Sequence, residues 1–244
     1  CAGTYASPQL LMLSGIGPAA HLREHGIAVI ADLPGVGSGL KEHPLVPMGF
    51  RGRHPFPMRR RLRADQMLLA AIQWQFTGTG TIASQPLSSY AFYRSTPGLP
   101  APDLENIMLP ISLQAKVWFP GLRKPPPDMM TSLNCVMRPG STGSVRLRSP
   151  DPFDKPVIRF NLLADPDDLA LLRYSIGWTR ELMRTAPISE HVGEEILPGP
   201  AVTDRQEIDA HIRRTVVTEQ HPTSTCRMGI DDDCVVDPAL RVRG

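Results

Sequence analysis

Cysteine is scarce in this 244-residue sequence, and its spacing excludes two classes of protein. The four cysteines, Cys1, Cys135, Cys226 and Cys234, show neither the density of a disulfide scaffold nor a Cys-x-x-Cys pair. A zinc site built from His221, Cys226 and Cys234 would lack a fourth ligand and the paired spacing, so we expect no metal ligands. Reduced cysteines are typical of the cytoplasm, which is the location that we expect.

An excess of charge of one sign and a long apolar run are also missing. The 26 Lys and Arg residues nearly balance the 24 Asp and Glu residues, so we expect no nucleic-acid partner. No apolar run approaches the roughly 20 residues that span a bilayer, so we expect no transmembrane segment. One basic cluster, over residues 51–63, lacks interleaved aromatics and a helical stripe, and it predicts a solvated, mobile surface loop.

Proline, in contrast, is abundant. The 26 prolines amount to about twice the average usage of ~5%, which predicts many loops and short elements. The chain starts at Cys1 directly in a structured pattern and stops at Gly244 inside a strand-like Val/Leu run. We therefore expect an internal fragment of a longer protein.

The first 45 residues alternate helix and strand signals. Ser7 as a cap and Pro8 at the first helical position predict a helix that Gly15 ends. A second helix is predicted over 18–26, and a strand over 27–31. Such alternation within about 30 residues is typical of an α/β domain.

A glycine pattern in this region has two interpretations. Residues 15–20 match G-x-G-x-x-A, the form of a dinucleotide fingerprint. Such a fingerprint must follow a strand and open a helix, whereas Gly15 follows a predicted helix, so a turn is favoured. An NAD enzyme would require a strand before Gly15.

The remaining pattern predicts an α+β domain with a mainly antiparallel sheet flanked by helices. Asp165 is a good cap for a long amphipathic helix, and Thr203 with Gln206 forms a capping box for another. The helices are predicted over 63–76, 165–185 and 203–215, and the strands over 88–94, 104–111, 133–137, 144–148 and 156–160.

The segment from His221 to Gly229 has no helical or strand period. It places a titratable imidazole before Pro222 and a run of hydroxyl and small residues, which is typical of a catalytic loop. Cys226 within it is interpreted as a packing residue, because nothing in the neighbouring sequence forms a dedicated base for its thiol.

Five segments together resemble the glucose-methanol-choline (GMC) oxidoreductase family, and they are most similar to its choline-dehydrogenase-like branch. The longest is Gly3 to Gly17, with Ser7-Pro8, Leu10-Leu11 and Ser14-Gly15-Ile16-Gly17. The others are 18–44, which includes Leu33-Pro34-Gly35-Val36-Gly37 and Glu42-His43-Pro44, then 138–152, 221–229 and 237–242. Gly39 and Thr142 depart from the Asn and Arg that are common in the family.

The resemblance implies a fold with two parts. Residues 1–45 would be a segment of a Rossmann-like FAD-binding domain, and 46–214 a substrate-binding domain whose family-typical C-terminal part begins near 129. Residues 215–244 would carry the active-site loop and a partial return to the FAD domain.

The resemblance also implies an activity. Family members oxidise an alcohol to an aldehyde or ketone with hydride transfer to FAD, and His221 would be the general base. Ala2 and Gly3 would contact the cofactor, and His43 would lie near it or have a structural role. The substrate would be a small-molecule alcohol; a choline site would need aromatic faces and a carboxylate around the quaternary ammonium, and only 6% of the residues are aromatic. The electron acceptor stays open.

One expectation about the isolated chain and one alternative function accompany this interpretation. The family's dinucleotide fingerprint and its second catalytic residue, a His or Asn, are not found in these 244 residues, so we expect the isolated chain to bind FAD poorly and to be inactive. A non-catalytic binding or scaffold protein that retains the substrate domain is the alternative of another class.

Overall fold

The computed structural model describes residues 2–243, so the interpretation of Cys1 lies outside the described residues. The helices are α1 (Gly3–Leu13), α2 (Ala19–Glu24), α3 (Pro57–Arg61), α4 (Ala64–Thr77), α5 (Pro166–Arg184), α6 (Ile188–His191) and α7 (Arg205–Thr215), with a 3₁₀ turn at Thr81–Ala83. The strands are β1 (Ile16–Gly17), β2 (Ala31–Asp32), β3 (Ser38–Leu40), β4 (Pro44–Gly52), β5 (Ser89–Tyr93), β6 (Leu104–Leu109), β7 (Met129–Val136), β8 (Gly143–Arg146), β9 (Val157–Arg159), β10 (Val192–Leu197) and β11 (Val217–Thr218).

The first of two compact units comprises Cys1–Pro44, Pro139–Asp168 and Thr218–Gly244. It contains a short parallel pair, β1 with β2, and a three-stranded antiparallel sheet in the order β3-β8-β9. Its core is a cluster of fully or nearly fully buried apolar residues from all three segments: Met12, Leu22, Val36, Leu147 and Val235. Residues distant in sequence therefore share one core.

The second unit comprises Leu45–Arg138 and Leu169–Val217. Its antiparallel strands follow the order β10-β4-β7-β6-β5, and all six residues of β6 are buried. A polar network lies within this unit: the Asn106 amide donates to Asn134 Oδ1 at 3.0 Å, and the Thr179 hydroxyl donates to the same oxygen at 2.6 Å. These bonds satisfy polar groups that burial would otherwise penalise, and they link β6 and β7 to α5.

The predicted mixture of helices with mainly antiparallel sheet is confirmed, as are most elements after residue 60. The predicted helix over 165–185 is α5, and its expected apolar positions, Leu169, Leu172, Ile176 and Met183, are all buried. The assignment of 46–214 to substrate binding stays a prediction, because compact units are defined by contacts and not by their ligands. No helix within residues 2–243 is long and apolar enough to cross a bilayer.

The predicted start of the first helix was wrong. Helix α1 begins at Gly3 instead of Ser7, and Pro8 lies inside it. Proline has no amide hydrogen to donate to the carbonyl four residues earlier, which is why an internal proline normally ends a helix. Here another donor reaches that carbonyl, the hydroxyl of Thr225 at 2.6 Å.

Two other predictions near the start need revision. The strand predicted over 27–31 is reduced to Ala31–Asp32, which pairs with Ile16–Gly17. The element before Gly15 is the helix α1, so the structure does not meet the requirement of an NAD fingerprint.

The basic segment 51–63 was wrongly predicted to be a mobile loop. It includes the end of β4 and helix α3, and its arginines contact acidic side chains: Arg59 pairs with Asp128, and Arg63 pairs with Asp65. Local ion pairs therefore neutralise part of the positive charge of this segment.

The cap of α7 also differs from the prediction. Asp204, not Thr203, precedes the helix, and its carboxylate accepts hydrogen bonds from the amides of Gln206 at 2.7 Å and Glu207 at 3.4 Å. An aspartate at this position also has a favourable interaction with the positive end of the helix dipole.

Replacing the two candidate caps separately tests this assignment. We expect Asp204→Ala to lower the free energy of unfolding by about 1 kcal/mol, because two first-turn amides lose their acceptor. Thr203→Ala should change it by less than about 0.5 kcal/mol. Urea unfolding followed by circular dichroism measures both; a larger loss for Thr203→Ala would contradict the assignment.

Candidate active site

The loop that carries His221 is attached to the first helix by two side-chain bonds. The Thr4 hydroxyl donates to the carbonyl of Pro222 at 2.7 Å, and the Thr225 hydroxyl donates to the carbonyl of Thr4 at 2.6 Å. The second bond supplies the donor that Pro8 cannot, because Thr4 is the residue four positions before Pro8. Thr225 is buried, so this hydroxyl both completes the helix and fixes the loop.

Glu42 holds the backbone on both sides of the site. Its Oε1 atom accepts hydrogen bonds from the amides of His43 at 2.9 Å and His221 at 2.8 Å. Its side chain is buried, and Oε2 has no hydrogen-bond partner within the described part of the chain. Because an unsatisfied buried acceptor is unfavourable, Oε2 marks a position where a donor would be stabilising.

Two imidazoles face one further carboxylate. Glu219 Oε2 lies 3.1 Å from His43 Nδ1 and 3.5 Å from His221 Nδ1, and the two Nδ1 atoms are 3.4 Å apart. Glu219 is held in place by its own amide, which donates to the carbonyl of His43 at 3.1 Å. The Glu219 side chain is 7% exposed and that of His221 is 57% exposed, so the carboxylate lies beneath a ring that reaches solvent.

The backbone around His221 is strained. Gln220 has a φ of 68° and Ser224 a φ of 76°, both in the left-handed region that residues other than glycine rarely adopt. Such conformations cost of order 1–3 kcal/mol and are concentrated at functional sites. Here the bonds to Glu42 and Thr4 hold the loop in this shape.

The N-terminus of α1 is the part of this unit that was expected to contact a cofactor. Ala2 precedes the helix without a side-chain bond to the first-turn amides, and Gly3 has a φ of 81°. Apart from its chain neighbours and the backbone of its own helix, no described residue lies within 4 Å of the position that a Gly3 Cβ would occupy. Amides at the positive end of a helix that has no side-chain cap, beside open space, suit a ligand rich in acceptors.

The two cysteines near the loop do not join His221 as metal ligands. No group of three convergent ligand atoms within residues 2–243 contains Cys226 or Cys234. Burial raises the pKa of the Cys226 thiol, and this residue packs against the apolar core of the first unit. These observations support the packing role predicted for Cys226.

Comparisons with known proteins identify the family of this chain. Residues 1–45 match the N-terminal and residues 139–244 the C-terminal family model, each described as GMC oxidoreductase. The chain belongs to the GMC oxidoreductase family. The resemblance predicted from the five sequence segments is thereby confirmed.

Several GMC relatives align with the whole chain. It is 40% identical to the oxygen-dependent choline dehydrogenase of Brucella ovis and 38% identical to that of Rhizobium etli, and each alignment includes 100% of this chain. The chain spans 44% of the length of these two relatives. A solved formate oxidase from Aspergillus oryzae, a mutant studied for its effect on FAD modification, superposes with a TM-score of 0.86 at 28% identity, over 98% of this chain and 46% of that one.

FAD is the cofactor of this family. The residues present fit such a group on one side: the open N-terminus of α1 offers amide donors, and the Thr4–Pro222 bond places that helix end beside the His221 loop. A flavin ring and its phosphates carry carbonyl and phosphate oxygens that such donors would bind.

His221 was predicted from the sequence as a site residue and His43 as a neighbour of the cofactor or a structural residue, whereas no role was predicted for Glu42 or Glu219. The structure brings all four residues together. Glu42 occurred only as part of a motif, and nothing in its pattern indicated that it would bind two amides. Glu219 stands two residues before His221, and an acidic residue beside a candidate base is the one signal that could have identified it.

A double-mutant cycle tests the link between loop and helix. Thr225→Val removes the hydroxyl but keeps the shape, so the free energy of unfolding should fall by about 1–3 kcal/mol as the Thr4 carbonyl loses its donor. In a Pro8→Ala background the new amide of residue 8 can supply that donor, and the loss should shrink by at least about 0.5 kcal/mol. Urea unfolding of the four proteins measures this; equal losses in both backgrounds would exclude the link.

Proposed function

We propose that the protein is an FAD-dependent oxidoreductase that oxidises the CH–OH group of a small-molecule alcohol to an aldehyde or ketone. The observation that carries the proposal is the exposed imidazole of His221 in a chain of the GMC family: Glu42 binds its backbone amide, and the Glu219 carboxylate lies 3.5 Å from its Nδ1 atom. The bound flavin supplies the hydride acceptor in this chemistry.

His221 acts as the general base. An Nδ1–H donated towards Glu219 leaves the lone pair of Nε2 for the hydroxyl proton of the alcohol. When Nε2 takes that proton, the ring becomes an imidazolium, and the nearby Glu219 carboxylate stabilises its positive charge. The protonated Nε2 can then donate a hydrogen bond to the new carbonyl oxygen.

Glu42 positions this base without touching the substrate. Its bond to the His221 amide, together with Pro222 and the Thr225–Thr4 bond, limits the directions that the imidazole can take. Small errors in the direction of a base lower the rate strongly, so a rigid loop favours proton transfer.

Ala2 and Gly3 contact the cofactor in this proposal. The first-turn amides of α1 would donate to acceptor oxygens of the flavin nucleotide, and the missing Gly3 side chain would let the ligand approach the backbone. Choline is the first alcohol to assay, since the two curated relatives named above are choline dehydrogenases.

The base is tested by His221→Asn in the product of the reading frame that contains these residues. Alcohol oxidation, measured for choline and a panel of aliphatic alcohols with oxygen and with an artificial acceptor, should fall by about 10²–10⁴-fold because no group takes the hydroxyl proton. His54→Asn, which changes an exposed histidine of the second unit, should retain the rate. A His221→Asn rate within about tenfold of the unchanged protein would refute the role.

Two glycine variants test the cofactor contact. Gly3 and Gly26 both have positive φ, 81° and 68°, and both have open space where a Cβ would lie, so alanine introduces a comparable strain of roughly 1–2 kcal/mol at either site. Only Gly3→Ala should also reduce the amount of FAD that copurifies with the protein. The ratio of flavin to protein absorbance measures this; an equal ratio in both variants would contradict a contact at Gly3.

A further inference from the structure

We propose that the carboxylate of Glu219 and the imidazoles of His43 and His221 form a binding site for a divalent cation of the zinc class, and that cation binding switches off the base. The inference rests on the proposed function for its inhibitory effect, but not for the site itself.

The three ligand atoms already have the spacing of a zinc site. Zinc bound at about 2.0–2.1 Å in tetrahedral geometry places its ligand atoms about 3.3–3.4 Å apart. The three separations here are 3.1 Å from Glu219 Oε2 to His43 Nδ1, 3.4 Å between the two Nδ1 atoms and 3.5 Å from Glu219 Oε2 to His221 Nδ1. A cation could therefore bind all three without a backbone movement.

The donor types also indicate the class of metal. Two imidazole nitrogens and one carboxylate oxygen suit zinc and similar transition metals, whereas magnesium and calcium prefer oxygen ligands. The exposed fraction of the His221 side chain, 57%, leaves room for a water molecule as the fourth ligand.

The surroundings fix the ligands and favour positive charge. Glu42 binds the amides of both histidines, and the Glu219 amide binds the carbonyl of His43, so the three ligand residues are connected through their backbones. Within residues 2–243, neither Glu42 nor Glu219 forms an ion pair with a Lys or Arg. Two neighbouring carboxylates without a basic partner attract a cation.

Cation binding and base catalysis exclude each other at His221. A neutral imidazole has one nitrogen with a lone pair and one with a hydrogen. When Nδ1 gives its lone pair to the metal, Nε2 carries the hydrogen and cannot accept the proton of an alcohol. The site is thus expected to inhibit, and a chelator should restore activity.

Zinc binding is measured by isothermal titration of the protein with Zn²⁺ and by metal analysis after dialysis. We expect one Zn²⁺ per chain, and about tenfold or greater weakening in Glu219→Gln, His43→Asn and His221→Asn, since even loss of an outer partner of a metal ligand costs 10–100-fold. The matched control is His25→Asn. His25 belongs to another His-His-Glu neighbourhood, in which His21 Nδ1 lies 3.5 Å from Glu24 Oε2. The potential ligand atoms of these three residues do not converge on one point as those of the proposed site do. The affinity of His25→Asn for Zn²⁺ should equal that of the unchanged protein.

The outcomes separate the two proposals. The cation site would be overturned if the unchanged protein bound no Zn²⁺, or if none of the three ligand variants weakened the binding. The first of these results does not depend on whether the variants fold. Neither result would count against alcohol oxidation. Stoichiometric binding without any alcohol oxidation would refute the proposed function and leave the site. Binding together with zinc inhibition that a chelator reverses, and that Glu219→Gln reduces by about tenfold, supports both.

Discussion

The Oε1 atom of Glu42 accepts hydrogen bonds from two backbone amides that are 178 residues apart, those of His43 and His221. Bonds to a charged acceptor are roughly twice as strong as bonds between neutral groups, and here the acceptor is buried. The carboxylate therefore fixes the separation of the two histidine backbones. Without it, the convergence of both rings on Glu219 would depend on a loop in which Gln220 and Ser224 have unfavourable φ angles.

The second constraint comes from a proline. Pro8 leaves the carbonyl of Thr4 without its helical donor, and the buried Thr225 hydroxyl fills that position. The helix and the loop therefore depend on each other: the helix needs a donor from the loop, and the loop obtains a fixed point on the helix. With a residue other than proline at position 8, the backbone amide of that residue would donate to the Thr4 carbonyl, and the helix would not require this contact.

Features that depend on local signals in the sequence were predicted correctly. The cap at Asp165, whose carboxylate accepts from the Asp167 amide at 2.9 Å, the apolar face of α5 and the alternation in β8 depend on neighbouring residues, and each was predicted from them. Features that depend on a group distant in the chain were not. The early start of α1 depends on Thr225, more than 200 positions away in the chain, and no period in residues 3–13 could have shown it.

The candidate site shows the same division. His221 could be selected from the sequence because its loop resembles the active-site loop of GMC oxidoreductases, a pattern that is contiguous in the chain. The role of Glu219 depends on where it lies relative to His43, which only the fold determines. The residue types indicate which reactions each side chain can support, while the fold determines which side chains lie close enough to act together.

Placing a carboxylate beside a base has two physical consequences. Negative charge near Nδ1 of His221 favours a hydrogen on that nitrogen, and so presents the lone pair of Nε2 to a substrate. The same charge, shared with the Nδ1 atom of His43 at 3.1 Å, also favours a metal ion in place of that hydrogen. A proton and a cation thus compete for Nδ1 of His221. The charge of the carboxylate attracts both, and only the geometry of the surrounding ligands distinguishes between them.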